Sequence, residues 1–329
     1  MPRLRIATRG WAHVLPLALG DVAQAEPLLR LERRDATPDL WTEPDLDGAE
    51  TSFSRYVRTR AAGDTSVTAL PYFIMRGFRH RCIIVADESP HTRATDLQGA
   101  AIGLTGWPDS GNTWTRAILR AQGVGLNQVR WQVGRLTSEH PETDRLGGVT
   151  IPDHLDVSST SEPLLDALLA GRLDAVMTPF MPQAFLEPSS PFRTLFPDNQ
   201  AEEASYYRRR GYIPGIHLIA VKTALLEEDP DLAGQLLEAF ARSQRMSHQE
   251  RGKLQDVTPW TNEALRASVG VFGHDFNPIG LAPNLPMISD FQDELVHQHL
   301  LGTPVPVQEL FPYSTESEES LRAQFPNYR

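Results

Sequence analysis

The chain has 329 residues, of which 40% are hydrophobic and 22% charged, which is typical of a globular protein long enough for two domains. Its net charge of −11 argues against a nucleic-acid partner, because binding to a phosphate backbone requires a basic surface. The single cysteine, Cys82, excludes disulfides within the chain and metal clusters held by several cysteines.

The N-terminal region has the pattern of a folded domain rather than that of an export signal. Its apolar run, Val14–Leu19, is six residues long, contains Pro16 and is followed by Gly20, whereas the apolar core of a signal peptide has roughly 7–15 residues. No run approaches the roughly 20 apolar residues that cross a bilayer. We therefore expect a cytoplasmic protein without a membrane partner.

Strands and helices alternate along the first half of the chain, which indicates an α/β fold with a largely parallel sheet. The predicted strands are Leu4–Ala7, Pro27–Leu31, Val67–Met75, Cys82–Val85, Ala100–Leu104, Val129–Val133, Leu173–Met177, Arg193–Phe196 and Ile216–Val221. The predicted helices are Phe53–Ala62, Asn112–Ala121, Pro163–Ala170, Ala201–Arg210, Asp231–Ser247, Asn262–Val271 and Ile288–Leu300. The segment Arg135–Ser158 is predicted to be a long connection, and the polar tail from Pro312 to be peripheral.

A basic turn between two apolar runs stands out at Leu70–Val85. We interpret the runs as a hairpin-like strand pair, with Gly77 allowing a bend and Phe78 as the bulky apolar side chain of the turn. The turn carries four basic side chains, Arg76, Arg79, His80 and Arg81. It is either a solvated loop or a loop that binds carboxylates and handles protons, because Arg matches carboxylates bidentately and His titrates near neutral pH.

Other polar positions are candidates for the same site. Thr51 or Ser52 can cap the helix that starts at Phe53, and Ser110 or Asn112 the helix that ends at Ala121, which would present backbone N–H groups to an anion. His217 lies at the start of a predicted strand. For His80 and His217, a structural and a functional role stay equally open. Trp107 can form a wall for a ligand, although buried aromatic residues belong more often to the core.

Seven segments resemble one enzyme family in order along nearly the whole chain. They are Ala49–Asp64, Ala69–Val85, Asp96–Leu104, Leu168–Thr178, Leu195–Val221, Phe272–Asn284 and Glu309–Pro312. The family is that of the 4,5-dihydroxyphthalate decarboxylase-like proteins, which have the type II periplasmic-binding-protein fold. The resemblance implies two α/β lobes, each with a mostly parallel sheet flanked by helices, and a ligand cleft between them.

The lobes that the resemblance implies are residues 1–95 with 217–329, and residues 96–216. The sequence departs from the family pattern at several positions, of which three concern the pocket most directly. Gly106 replaces a glutamate, Asn277 replaces a tryptophan, and Leu285 replaces an arginine. These departures concern the pocket rather than the fold.

The resemblance further implies loss of CO2 from a hydroxylated aromatic carboxylic acid, without a cofactor or metal. Protonation of the ring carbon needs a cation to orient the acid and a general acid beside the carbon. We assign His80, His217 and Arg79 to catalysis, with His80 as the leading proton donor, and expect Arg79 either to bind substrate or to pair with Glu50. The expected substrate-binding residues are Glu50, Ser52, Arg76, Phe78, Trp107, Ser110, Asn112, Thr178 and Tyr207.

Two alternatives stay open for the activity. The chain could be a non-catalytic solute-binding protein that delivers a small anionic or aromatic ligand to a transporter. A thiamine-pyrimidine-synthase-like enzyme would need its own motif rich in His and Cys, which the sequence lacks. In each case the partner is a small molecule, and the association of identical chains is left open.

Overall fold

The computed structural model of the protein describes residues 4–179, 181–256 and 258–314. The chain forms two compact units, each built around a six-stranded mixed sheet. Of the described residues, the first unit contains 4–76, 215–289 (except 257) and 305–314. The second unit contains Gly77–Pro214 and Asp290–Pro304.

The elements follow the predicted alternation of strands and helices. The strands are β1 Leu4–Arg9, β2 Leu29–Arg34, β3 Gly48–Ser52, β4 Val67–Ala69, β5 Met75–Arg76, β6 Ile83–Ala86, β7 Ala101–Leu104, β8 Arg130–Val133, β9 Val157–Ser159, β10 Ala175–Met177, β11 Phe192–Thr194 and β12 Gly215–Lys222. The helices are α1 Leu15–Leu19, α2 Phe53–Ala61, α3 Ser110–Ala121, α4 Leu164–Leu169, α5 Asn199–Arg210, α6 Thr223–Glu228, α7 Leu232–Glu250, α8 Thr261–Phe272, α9 Leu285–His297 and α10 Val307–Leu310.

The sheet of the first unit has the order β2-β1-β3-β12-β4, with β5 paired to β12. Strands β1, β2 and β3 run parallel, whereas β12 is antiparallel to β3, β4 and β5. Its core includes Tyr72, which stacks on Phe240 of α7 at a centroid distance of 5.0 Å. Burying these apolar surfaces is the main favourable term in folding of the unit.

The sheet of the second unit has the order β11-β6-β10-β7-β8-β9. Strands β10, β7, β8 and β9 are parallel, and β6 is antiparallel to β10 and β11. Aliphatic side chains of β6, β7 and β10 are buried and pack against α4, as expected for central strands covered by helices.

The prediction that the two apolar runs beside the basic turn pair with each other is wrong. Strands β4 and β5 pair with β12 in the first unit, and β6 pairs with β10 and β11 in the second. The apolar runs therefore have strand structure, but their partners are distant in sequence. For the same reason the chain leaves the first unit after Arg76, earlier than the predicted range that extends to residue 95.

Two strands were absent from the sequence prediction. Strand β9 lies within the predicted long connection, and its residues are largely exposed. Strand β3 contains Glu50, Thr51 and Ser52, and a polar composition of this kind is not typical of a buried strand; nevertheless its first four residues are buried. The tail beyond Ser314 lies outside the described residues. Within the described ranges, no helix is both long and apolar enough to cross a membrane.

The start of β12 provides a test of packing in the first unit. A Cβ atom at Gly215 would lie 2.5 Å from the Phe73 ring and 2.8 Å from Met287 Cε. We expect Gly215→Ala to lower the free energy of unfolding by about 1–3 kcal/mol, as overpacking does. Gly234→Ala in α7 is the matched control, because its Cβ would meet nothing within 4 Å, and it should leave stability unchanged or raise it by up to about 1 kcal/mol. Urea unfolding of wild type and both variants measures the free energy of unfolding. If Gly215→Ala were as stable as Gly234→Ala, the close packing of Gly215 against Phe73 and Met287 would be contradicted.

Candidate functional site

The strand topology of the first unit brings three polar side chains to one edge of its sheet. Strands β1 and β3 are parallel neighbours, so their carboxyl ends, with Arg9 and Glu50, lie at the same edge. Strand β12 begins there in the opposite direction, and His217 is paired with Ser52. In this register His217 lies diagonally across from Glu50 on the same face of the sheet.

The Glu50 carboxylate is the centre of this group and has no exposed side-chain surface. Its Oε1 accepts from Arg9 Nε at 3.0 Å and Nη2 at 2.7 Å, and lies 2.7 Å from His217 Nδ1. Its Oε2 accepts from the Arg9 backbone N–H and from Trp11 Nε1, both at 2.8 Å. These contacts involve both carboxylate oxygens and link Glu50 to Arg9, Trp11 and His217.

The charge state of Glu50 influences the tautomer of His217. Burial alone would raise the pKa of Glu50, but hydrogen bonds and charges from His217 and Arg9 outweigh it and lower the pKa to about 2. Glu50 is therefore ionised at neutral pH and can only accept hydrogen bonds. His217 Nδ1 lies 2.7 Å from the carboxylate oxygen and 3.0 Å from Arg9 Nη2. Because the carboxylate can only accept, its contact favours a proton on Nδ1, whereas a donor from Arg9 would favour an unprotonated Nδ1.

Arg9 and His217 differ from Glu50 in being accessible. Their side chains are 14% and 15% exposed. The Trp11 ring lies 4.7 Å from the Arg9 guanidinium carbon, in the range of a cation–π contact. The result is a fixed cation beside an oriented imidazole, with the buried carboxylate beneath them. Arg9 and Trp11 were not among the predicted site residues, although their position directly after a parallel strand is a usual location for ligand contacts.

Arg76 and Ser52 also belong to this unit. The Arg76 side chain donates to Asn284 Oδ1 and to the Pro278 carbonyl at 3.3 Å, and lies 5.0 Å from the Phe73 ring. Burial lowers the pKa of Arg76 to about 9, so the guanidinium remains charged at neutral pH. Ser52 is the N-cap of α2, as predicted, and accepts from the Arg55 backbone N–H at 3.4 Å.

His80, the predicted leading proton donor, lies in the second unit and in a different environment. It is 1% exposed, and its ring packs edge-on against Phe196 and Tyr206 at 5.6 Å. Burial first, and then the charges of Arg209 and Arg81, lower the pKa of His80 to about 4. The imidazole is thus neutral near pH 7. None of the described residues forms a hydrogen bond with its Nδ1.

Several other predicted residues of the basic turn lie in the interior of the second unit. Arg79 is 2% exposed and donates to Cys82 Sγ at 3.4 Å. Glu50, its predicted partner, is instead paired with Arg9 and His217. Phe78 is 5% exposed and packs edge-on against Tyr206. Arg81 is exposed and pairs with Glu203 at 3.4 Å.

The remaining predicted residues of the second unit are mainly buried. Trp107 has no exposed surface, and its ring lies 4.3 Å from the Arg116 guanidinium. Asp109, and neither Ser110 nor Asn112, occupies the N-cap of α3. Asn112 donates to the Gly106 carbonyl at 2.8 Å and so fixes the preceding loop. Thr178 is buried after β10, whereas Tyr207 in α5 is half-buried.

Two proteins named 4,5-dihydroxyphthalate decarboxylase are similar to this chain in sequence. The one from Comamonas testosteroni is 28% identical over 327 residues, which cover 96% of this chain and 98% of that protein. The one from Pseudomonas putida is 29% identical over 217 residues, which cover 64% of this chain and 83% of that protein. No family model matches the chain.

The predicted family resemblance is confirmed. Among solved structures, the periplasmic aliphatic sulphonate binding protein SsuA from Escherichia coli has a TM-score of 0.57 and 15% identity. The match covers 97% of this chain and 94% of that chain. This likeness confirms the predicted periplasmic-binding-protein type of α/β fold, and at this identity it carries no argument about ligand or activity.

Local contacts explain two of the positions that depart from the 4,5-dihydroxyphthalate decarboxylase pattern. A side chain at Gly106 would require the Asp109 carboxylate to move. The Asn277 side chain donates to Gln244 Oε1 at 3.1 Å, and Gln244 Nε2 donates to the Asn277 backbone carbonyl at 2.8 Å. Leu285 is 3% exposed and lies at the start of α9. Across the described residues, no three His, Cys, Asp or Glu side chains are grouped so that they could hold a metal ion.

The low pKa of Glu50 predicts a pH-dependent contribution to stability. Its folded pKa of about 2 lies below the ordinary value of 4.5, so the stabilisation is present above pH 4.5 and is lost as pH falls towards 2. We expect Glu50→Gln to reduce the free energy of unfolding by about 3 kcal/mol at pH 6. The gap between variant and wild type should narrow by pH 3. Urea unfolding at pH 6 and pH 3 measures the difference in free energy of unfolding between wild type and variant. An equal difference at the two pH values would show that the ionised carboxylate is not what stabilises the fold.

Proposed function

We propose that the protein is a cofactor-independent decarboxylase of a hydroxylated aromatic carboxylic acid, and that Arg9, Glu50 and His217 form its reaction centre. The observation that carries the proposal is the buried, ionised Glu50 that contacts both a guanidinium and an imidazole at one sheet edge. A fixed cation and an oriented acid–base group are the two elements that this reaction needs. The names of the two relatives support the same reaction class.

The substrate named in those relatives suits this chemistry. In 4,5-dihydroxyphthalate each carboxylate is para to a hydroxyl group, so a phenolic oxygen can supply electrons to the ring carbon that bears the carboxylate. Arg9 is positioned to bind a carboxylate through donors not directed at Glu50, since a guanidinium has five N–H groups. Arg76 and the N-terminus of α2 are further cationic or donor groups of the same unit.

The reaction balances with His217 as proton donor. The protonated imidazole transfers the Nε2 proton to the ring carbon and gives a non-aromatic intermediate. The bond to the carboxylate then breaks, its electron pair restores the aromatic ring, and CO2 leaves. Solvent returns a proton to Nε2. During the transfer, the Nδ1–H bond to Glu50 keeps the ring oriented and stabilises its positive form.

The proposal reverses the predicted order of the two histidines. The His80 imidazole is buried and neutral near pH 7. A neutral, buried imidazole is a poor proton donor. His217 is accessible and hydrogen-bonded to a carboxylate. We therefore assign His80, together with Phe78 and Tyr206, to the packing of the second unit.

Paired histidine variants test this assignment. His217→Asn keeps an N–H group where Nδ1 contacts Glu50 but lacks the atom that exchanges the proton, so kcat for CO2 release from 4,5-dihydroxyphthalate should fall by about 10²–10⁴ with little change in KM. His80→Asn is the control and should keep kcat within about tenfold. Circular dichroism checks that both variants are folded.

The outcomes separate the proposed enzyme from its main alternative. Wild-type kcat in His217→Asn would refute the proton-donor role. If the wild-type protein binds hydroxyphthalates and hydroxybenzoates but releases CO2 from none of them, the protein is a binding protein on this fold and the proposed activity is wrong.

A further inference from the structure

A pocket of about 440 Å³ lies in the second unit, at the carboxyl ends of β8 and β9. These strands are parallel neighbours, with Val133 paired to Ser159. A crevice at the carboxyl ends of parallel strands is the usual ligand position in open α/β sheets, and this volume is in the range of small-molecule sites. Gly134 allows the walls to meet, because a Cβ there would lie 2.8 Å from Thr160 Cγ2.

Arg145 supplies an uncompensated positive charge to this pocket. Its Nη1 and Nη2 donate to the carbonyls of Thr105 and Pro141, both at 3.1 Å. Carbonyl oxygens fix the guanidinium but do not neutralise it. Among the residues that the structure describes, no carboxylate pairs with Arg145, and its buried Nε has no acceptor.

The second cation of the pocket has only a weak counter-ion. Arg135 Nη2 lies 3.0 Å from Glu142 Oε1, and the Glu142 side chain is 63% exposed. An exposed pair of this kind contributes about 0–1 kcal/mol, so an incoming anion can displace it. The other acidic residue of the wall, Asp144, directs its oxygens to the backbone N–H groups of Leu146 at 2.9 Å and Gly148 at 3.0 Å.

Hydroxyl groups also line the pocket. Ser159, Thr160 and Ser161 are consecutive and all line the pocket. Guanidinium and hydroxyl donors around one cavity match the oxygen acceptors of a carboxylate or a phosphate group.

We propose that this pocket binds a small anion that carries a carboxylate or phosphate group, and that Arg145 is its principal cation. This site is independent of the proposed reaction, since all of its lining residues belong to the second unit and none is part of the Glu50 centre.

The full chain is titrated with inorganic phosphate and, separately, with phthalate. Calorimetry measures the affinity, and the NMR chemical shifts of the backbone amides locate the binding site. Arg145→Gln should weaken binding of at least one anion tenfold or more and abolish the shifts of Ser159–Ser161. Arg130→Gln is the matched control, because Arg130 is exposed at the opposite end of β8, and it should leave binding unchanged.

A third variant separates this site from the Glu50 centre. Arg9→Gln should weaken any binding of phthalate at that centre but leave the shifts of Ser159–Ser161 intact. If only phosphate or only phthalate binds, and Arg145→Gln weakens that binding, the result supports the site and identifies which anionic group it accepts. Failure of both anions to shift these residues, or equal binding in Arg145→Gln and wild type, would overturn it whatever the outcome for decarboxylation.

Discussion

The buried charge of Glu50 is the constraint on which the first unit depends. An ionised carboxylate without exposed surface costs several kcal/mol in desolvation unless donors surround it. Here five contacts from three side chains and one backbone N–H surround it. Those donors come from the end of β1, the following loop and β12. The carboxylate therefore joins distant parts of the chain and, at the same time, sets the orientation of the imidazole and the guanidinium.

The same arrangement links stability to function. A proton donor must be held in one orientation while its charge changes, and a fixed carboxylate on the remote ring nitrogen accomplishes both tasks. Glu50 is fully buried, whereas Arg9 and His217 are partly exposed; in the proposed reaction Glu50 therefore positions the two side chains that meet the ligand. The fold resembles that of a sulphonate-binding protein, and what distinguishes an enzyme from a binding protein on this scaffold is the chemistry at such a centre.

Much of the fold is predictable from local pattern. Helices α2, α3 and α7 begin and end within about three residues of their predicted bounds because their apolar periodicity and terminal residues agree. Pairing was not predictable: the runs on either side of the basic turn are strands, yet they belong to different sheets. Strand β3 escaped prediction because Glu50, Thr51 and Ser52 obscure its burial.

The site was predictable in part for the same reasons. His217 and Glu50 lie in segments that resemble the decarboxylase family, but their mutual contact depends on the β3–β12 register, which sequence does not give. Arg9 looked like one of several N-terminal arginines, and only the parallel pairing of β1 with β3 brings it to Glu50. The burial of His80 was not predictable, because a histidine among arginines indicates a polar loop, whereas aromatic packing removes it from water.

The central claim is that Glu50 fixes the proton of His217 on Nδ1, and histidine-selective nitrogen NMR tests it most directly. In the neutral imidazole of the wild-type protein, the account predicts a bonded proton on Nδ1, shifted downfield by the carboxylate and shifted less in Glu50→Gln, with Nε2 unprotonated. A proton on Nε2 and a bare Nδ1 that accepts from Arg9 would contradict the account.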